Sequence, residues 1–269
     1  MSRRSAGIDR FGSDSRAVSE TLGYILVFSL IIGTITAATV FGFSGLNDRQ
    51  AAEQVTNVER AFDVLADNFK DINRYEDPSR ATEIRLAGGT IQFGEPVTVT
   101  VGQWEDGSFD PDSQTSTTFR PLVYESDGGT IVYEGGMIFR TDGERSISRT
   151  KTPFARGSST TVIPVAVTAP GDDRVALSSD RTVLVTGERR PNTVPLANRT
   201  IEADESESGT ELRVAIDSPR ADGWQRQLIA DGFAEDEIEY DASTNRVSAP
   251  LDGDRATLSV TRIDVIFRR

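Results

Sequence analysis

Leu22-Gly23-Tyr24-Ile25-Leu26-Val27-Phe28 opens an apolar run that reaches Leu46 without one charged side chain. As a helix this run rises about 37 Å, against a bilayer hydrocarbon core of about 30 Å, so it can cross with some tilt. Core helices of soluble proteins rarely extend so far without a charge. A secretory signal peptide has a shorter apolar region, closed by a small-residue cleavage site. Here the downstream flank is Asn47-Asp48-Arg49-Gln50, which offers no such site. A retained anchor is expected, with membrane lipid as its first partner. Arg3, Arg4, Arg10 and Arg16 precede the run, among Asp9, Asp14 and Glu20. Basic residues favour the cytoplasmic side and acidic ones count for little. The N-terminus is therefore expected inside, and everything after Leu46 outside the cell membrane.

Beyond the run, Ala51, Val55, Val58, Phe62, Leu65, Phe69 and Ile72 repeat at alternating spacings of four and three. That is the apolar stripe of an amphipathic helix. No proline or glycine intervenes before Asp77-Pro78, so one helix is expected from about Ser19 to Tyr75. Two readings of the stripe remain open: a helix laid on its own sheet, or a seam between subunits. From Thr82 onward the pattern turns to β, with period-two runs such as Val97-Thr98-Val99-Thr100-Val101 and turn signals such as Asp127-Gly128-Gly129. The polar stretches Asp106–Thr118 and Asn198–Gly209 read as long loops. A short helix is expected near 218–233, with Ser218 as N-cap, Pro219 at the first helical position, and Trp224, Leu228 and Ile229 as its apolar face. The expected fold class is α+β: a long N-terminal transmembrane helix continuing into an amphipathic helix, then a β-rich, sandwich-like external domain. The expected divisions are a leader at 1–17, a membrane segment at 18–46, a helical extension at 47–76 and the external domain at 77–269.

Charge narrows the function. The chain carries 29 basic and 42 acidic residues, a formal net charge of −13, and shows no basic stripe, so nucleic acid is not an expected partner. Lys70 and Lys151 are the only lysines. Acid excess with few lysines resembles the proteins of salt-loving archaea, although GC-rich coding also favours arginine. Cysteine and histidine are both absent, which removes disulfides, Cys–His and Ser–His–Asp catalysis and the usual zinc sites. No catalytic, cofactor-binding or metal-binding residue is assigned, and the protein is not expected to be an enzyme. Asp106, Asp110 and Asp112 near Gly107 have a hint of a calcium loop but lack the distal glutamate, and solvated surface is the plainer reading. Trp104 and Trp224 are expected in the core. Asn198-Arg199-Thr200 is a glycosylation sequon, with Asn198 as acceptor.

Arg16-Ala17-Val18-Ser19-Glu20, followed directly by the apolar run, resembles the class III signal peptide of archaeal, especially haloarchaeal, type IV pilins and archaellins. The resemblance covers about residues 14–46. It implies that a prepilin peptidase cuts between Ala17 and Val18, with Arg16 as the basic residue before the cut, and that the apolar helix stays in the mature protein. It further implies packing against other pilin subunits through that helix, for which the small residues Gly33 and Gly42 are suited. Glu20 stands where many haloarchaeal pilins carry proline. It is open to two readings, a carboxylate paired with a neighbour's terminal amine or a group in the headgroup region. The domain is large for a principal filament subunit. The resemblance therefore implies a cell-surface protein acting in adhesion or as a minor pilus component.

Overall fold

The computed structural model describes residues 14–269 apart from 106, 144, 191–198 and 204–210, and side chains outside 14–19, 42–48 and 142. The chain divides after Ala51 into two compact units. One helix, α1 (Asp14–Tyr75), begins in the first and ends in the second. It stops where the sequence demands. Glu76 takes a left-handed φ of 60°, and Pro78 disfavours helical geometry at Asp77.

The second unit is β-rich. In chain order, β1 (Ser79–Arg85), β2 (Thr90–Phe93), β3 (Val97–Glu105), β4 (Ser108–Phe109), β5 (Thr115–Phe119) and β6 (Leu122–Ser126) come first. They are followed by β7 (Gly129–Glu134), β8 (Met137–Asp142), β9 (Arg145–Ser148), β10 (Ala155–Arg156), β11 (Thr160–Pro170) and β12 (Ala176–Ser178). Last come β13 (Thr182–Arg189), β14 (Arg199–Glu202), β15 (Glu211–Asp217), α2 (Ala221–Ala230), β16 (Glu239–Asp241), β17 (Arg246–Pro250) and β18 (Arg255–Arg268). An α+β layout results, with an apolar N-terminal helix and a β-rich remainder.

Three sheets form among the described residues. The first runs β1-β13-β18-β11-β10, with β14 also on β18; the second runs β12-β2-β6-β7-β8-β9. The third runs β16-β17-β15-β3-β4, with β5 also on β3. Pairing is antiparallel except for β11 with β18, which lie parallel from Thr160↔Arg255 to Pro170↔Val265. The opposite edge of β18 meets β14 near Leu258 and then β13 from Ile263 to Arg268.

Two apolar cores lie on opposite faces of these strands. Ala256, Leu258 and Val260 of β18 enter one core, with Val97, Val99 and Val101 of β3, Val214 and Ile216 of β15, and Trp224 and Leu228 of α2. Ile263, Val265 and Phe267 enter the other. The numbering changes parity between the two sets, and successive residues of a strand face opposite ways. The second core takes in the α1 stripe: Val55, Val58, Phe62, Leu65, Phe69 and Ile72 are all buried there. They pack with Ile84, Val183 and Val185 of the first sheet and Ile91, Tyr124 and Tyr133 of the second. The stripe thus lies on the chain's own sheets. A Cβ on Gly187 of β13 would stand 2.5 Å from the Phe69 ring, so only glycine admits the helix this close.

Three expectations need correction. The stretch Asp106–Thr118 holds β4 and most of β5 rather than a long loop. Thr115, Thr117 and Phe119 alternate inward along β3, and the hydroxyls of Thr98 and Thr118 bond at 2.9 Å. Threonine serves a half-buried strand as well as a polar loop, and this made the segment read as loop. The stretch Asn198–Gly209 includes β14 at Arg199–Glu202. Helix α2 starts at Ala221, after Arg220, with Ser218 and Pro219 outside it. The Ser218 hydroxyl accepts the backbone N–H of Arg220 at 3.0 Å and donates to Glu134 Oε1 at 2.6 Å.

Glu134 is fully buried at the end of β7. Its carboxylate also accepts from Trp224 Nε1 at 2.7 Å and pairs with Arg220. A buried carboxylate is tolerated only when so bonded, and this one fixes α2 on the second sheet.

Replacing Phe62 by alanine should destabilise the protein by about 3–5 kcal/mol, while Val64→Ala on the exposed face of α1 should change it by less than about 0.5 kcal/mol. Gly187→Ala should cost about 1–3 kcal/mol by overpacking against Phe69. Denaturant unfolding of the three variants checks all three values.

Candidate membrane segment and exposed cleft

From Glu20 to Phe41, α1 presents 22 residues long and apolar enough to span a membrane, about 33 Å of helix. Every one of them is exposed. Tyr24 is 80% and Phe41 78% exposed, and Leu26, Phe28, Leu30 and Ile35 add apolar surface around the whole circumference. A water-soluble surface helix has one polar face; this one has none. The hydroxyls of Thr34 and Thr39 bond back to the carbonyls of Ile31 at 2.9 Å and Ile35 at 2.8 Å. These two groups can therefore enter hydrocarbon already satisfied. One N-terminal helix of this chain can anchor it in a membrane.

Arg16, Ala17 and Val18 fall in the first turns of α1, although their side chains lie outside the described residues. Glu20 is exposed at the head of the apolar segment. Gly33 has open space where a Cβ would stand, and the Gly42 surroundings lie outside the described side chains. Nine residues separate these glycines, which places them about 180° apart around the helix axis. They do not share a face. Each instead pairs at i,i+4 with an alanine, Gly33 with Ala37 and Ala38 with Gly42. The two small-residue pairs thus lie on different sides of the helix. Asn198 lies outside the described residues, as does Asp106. Among the described residues no cluster of carboxylates is arranged to hold a metal ion. Asp110 Oδ1 instead accepts the backbone N–H of Asp112 at 3.1 Å.

The outer face of the third sheet carries a cleft of about 570 Å³. Register builds it: Asp241↔Arg246↔Asp217 and Glu239↔Ser248↔Ala215 align across β16, β17 and β15. Ser248, a small buried residue, lines it, with Ala215 and Thr100 next in register across the sheet. Trp104 and Phe109 close one end, edge to face at 4.8 Å between centroids. Trp224 is a core residue, as expected, but half-buried Trp104 lines this cleft. Its parity with Thr98 and Thr100, opposite to the core-facing Val97, Val99 and Val101, places it on the outer face.

The charges of the cleft are mutually engaged. Arg213, almost wholly buried, lies over Trp104 at 5.1 Å and meets Glu211 at 2.8 Å and Glu239 at 3.2 Å. Arg246 faces Asp217 at 3.6 Å. Asp241 accepts from the Ser243 hydroxyl at 2.6 Å and the Thr244 hydroxyl at 2.8 Å. These bonds favour the charged form and hold its carboxyl down at about 2. Its carboxylates brace the sheet edge, and the hydroxyls of Tyr240 and Ser248 also line it.

Residues 16–266 match the family of unknown function DUF7289, and the chain belongs to that family. The matched region covers the apolar helix and the β-rich unit up to Ile266. An uncharacterized protein of Archaeoglobus fulgidus is 30% identical over 77 residues, covering 29% of this chain and 25% of that protein. The chain thus spans about a quarter of that relative's length. No solved structure matches.

Asp241 should titrate near pH 2, and Ser243→Ala with Thr244→Val should return it towards the ordinary 3.8. A carboxyl whose pKa is lower folded than unfolded stabilises the fold above its unfolded value. That contribution fades as pH falls through about 2. Carboxyl-carbon NMR of wild type and double variant reads both titrations.

Proposed function

We propose that this chain is a type IV pilin-like, membrane-anchored surface protein, non-catalytic, acting in adhesion or as a minor pilus component. The observation that carries the reading is a single helix with two kinds of surface. Its N-terminal part is apolar on all sides and exposed, directly after Arg16-Ala17; its C-terminal part is a buried stripe inside a β-rich unit. A helix that must pack in lipid or among its own kind, and also seat a folded domain, needs both surfaces. In this reading the N-terminus is cytoplasmic, a prepilin peptidase removes residues 1–17, and the domain is extracellular. That domain is read as sandwich-like, since the first and third sheets share one core. The two small-residue pairs, on different sides of the helix, suit contacts with more than one neighbouring pilin helix. Sugar on Asn198 and adaptation to high salt belong to the same reading.

The alternative is an uncleaved single-pass protein whose β domain binds an envelope partner, favoured by the size of the domain. The two part at the N-terminus. Membrane-extracted protein from cells with the prepilin peptidase should begin at Val18 by intact mass, and from cells lacking it should keep residues before Val18. Retention of Arg16 and Ala17 in both strains would sink the pilin-like reading and leave the plain anchor.

A further inference from the structure

A second cavity, of about 720 Å³, differs from the cleft in its electrostatics. It lies within the β-rich unit, between the last turns of α1 and the segment after β9, beside β11. Lys70 and Lys151, the chain's only lysines, both line it, and Arg74 joins them one turn along from Lys70. In a chain of net charge −13 this convergence is unexpected on composition alone. Every ion pair among the described residues is made by an arginine. Neither lysine has a hydrogen-bond or ion-pair partner among them, and Arg74 only approaches the Tyr75 ring at 5.7 Å. Asp67 also lines the cavity but comes within ion-pair distance of none of these cations. Three cations against one carboxylate leave the cavity positive.

The inner wall is apolar and carries one further signal. Phe69, Ala66, Ala166, Pro153 and Pro164 supply carbon surface. Tyr133 lies among them, 1% exposed, edge to face with Phe69 at 5.2 Å. Its hydroxyl has no hydrogen-bond partner among the described residues. The ring is buried while the hydroxyl is open to the cavity, where a ligand or water can bond it. Burial also pushes its pKa up, so it remains a neutral O–H donor. In a cavity lined by three cations and one carboxylate, together with Asn73, Thr150, Thr152 and Ser259, that O–H can donate to an acceptor on a bound anion. The volume lies in the usual range of small-molecule sites, and an apolar wall with a few convergent polar groups is their usual make-up.

We propose that this cavity is a binding site for a small organic anion, a carboxylate or phosphate carried on an apolar or aromatic body. The anionic group takes the hydroxyl of Tyr133 and the ammonium groups of Lys70 and Lys151, while Arg74 adds attraction at the rim. The body lies on Phe69 and the prolines. This site goes beyond the anchoring reading and does not depend on it.

The lysine count provides the test. Reductive 13C-methylation of the detergent-solubilised full chain gives signals from two lysines and the terminal amine only, and it preserves their charge. Lys70→Arg and Lys151→Arg each remove one signal and so assign the pair. Benzoate, acetate and phenyl phosphate are then added at constant ionic strength. Benzoate and phenyl phosphate should shift both lysine signals along one saturating curve, and acetate should bind at least about tenfold more weakly because it forgoes the apolar wall. Tyr133→Phe should weaken benzoate about fivefold or more while leaving the free spectrum in place. Shifts that stay linear, that are equal for acetate and benzoate, or that touch only one lysine would overturn the site, as would a Tyr133→Phe protein that binds as tightly as wild type.

Discussion

Both faces of β18 are apolar, but over different halves of its length, and the architecture is arranged around satisfying them together. Its first half turns Ala256, Leu258 and Val260 towards the third sheet and α2; its second half turns Ile263, Val265 and Phe267 towards α1. One flat sheet with one covering layer would leave half of this strand wet. The first and second sheets therefore carry a layer on each side. The α1 stripe covers one side and the third sheet with α2 the other. The long parallel pairing with β11 holds the two halves in one register. Where the core-facing set of one side ends, charge begins: Asp264 takes Arg190 at 2.6 Å and Arg262 at 2.8 Å.

The same logic explains why the few buried charges are where they are. Glu134 and Glu59 each sit where a helix meets the second sheet, on opposite sides of it. Glu134 is bonded by Ser218, Trp224 and Arg220, and Glu59 by Arg140 and Arg149. Apolar contact alone leaves a helix free to slide along a sheet. A desolvated carboxylate with fixed donors does not, because displacement strands a charge in low dielectric. The arginines are consumed in such duties or at the surface, while the two lysines meet at one cavity without partners. Arginine's planar fork suits bracing a carboxylate, and lysine's mobile ammonium suits meeting a ligand.

An exposed apolar helix and a folded domain on one continuous element also constrain each other. The N-terminal part has no polar face to offer water and is long and apolar enough to span a membrane. The C-terminal part has spent its apolar residues inside its own unit, which leaves that stretch little to offer a neighbour.

The sequence by itself determined the helices and most strands, because those signals are local. Charge-free length marks the membrane segment, the four-three spacing marks the stripe, and Asp77-Pro78 marks the end of α1. It also determined that histidine and cysteine chemistry is absent. It misread Thr115–Phe119 and Arg199–Glu202, whose polar residues become strand only when β3 and β18 offer an edge. It misplaced the start of α2 by three residues, since Ser218 caps a turn through the N–H of Arg220 before the helix begins at Ala221. Tertiary structure alone built the cleft that Trp104 lines. It alone brought Lys70, Lys151 and Tyr133 to one cavity. Pairing and packing across such separations depend on which edges and faces meet, and no window along the chain contains that information.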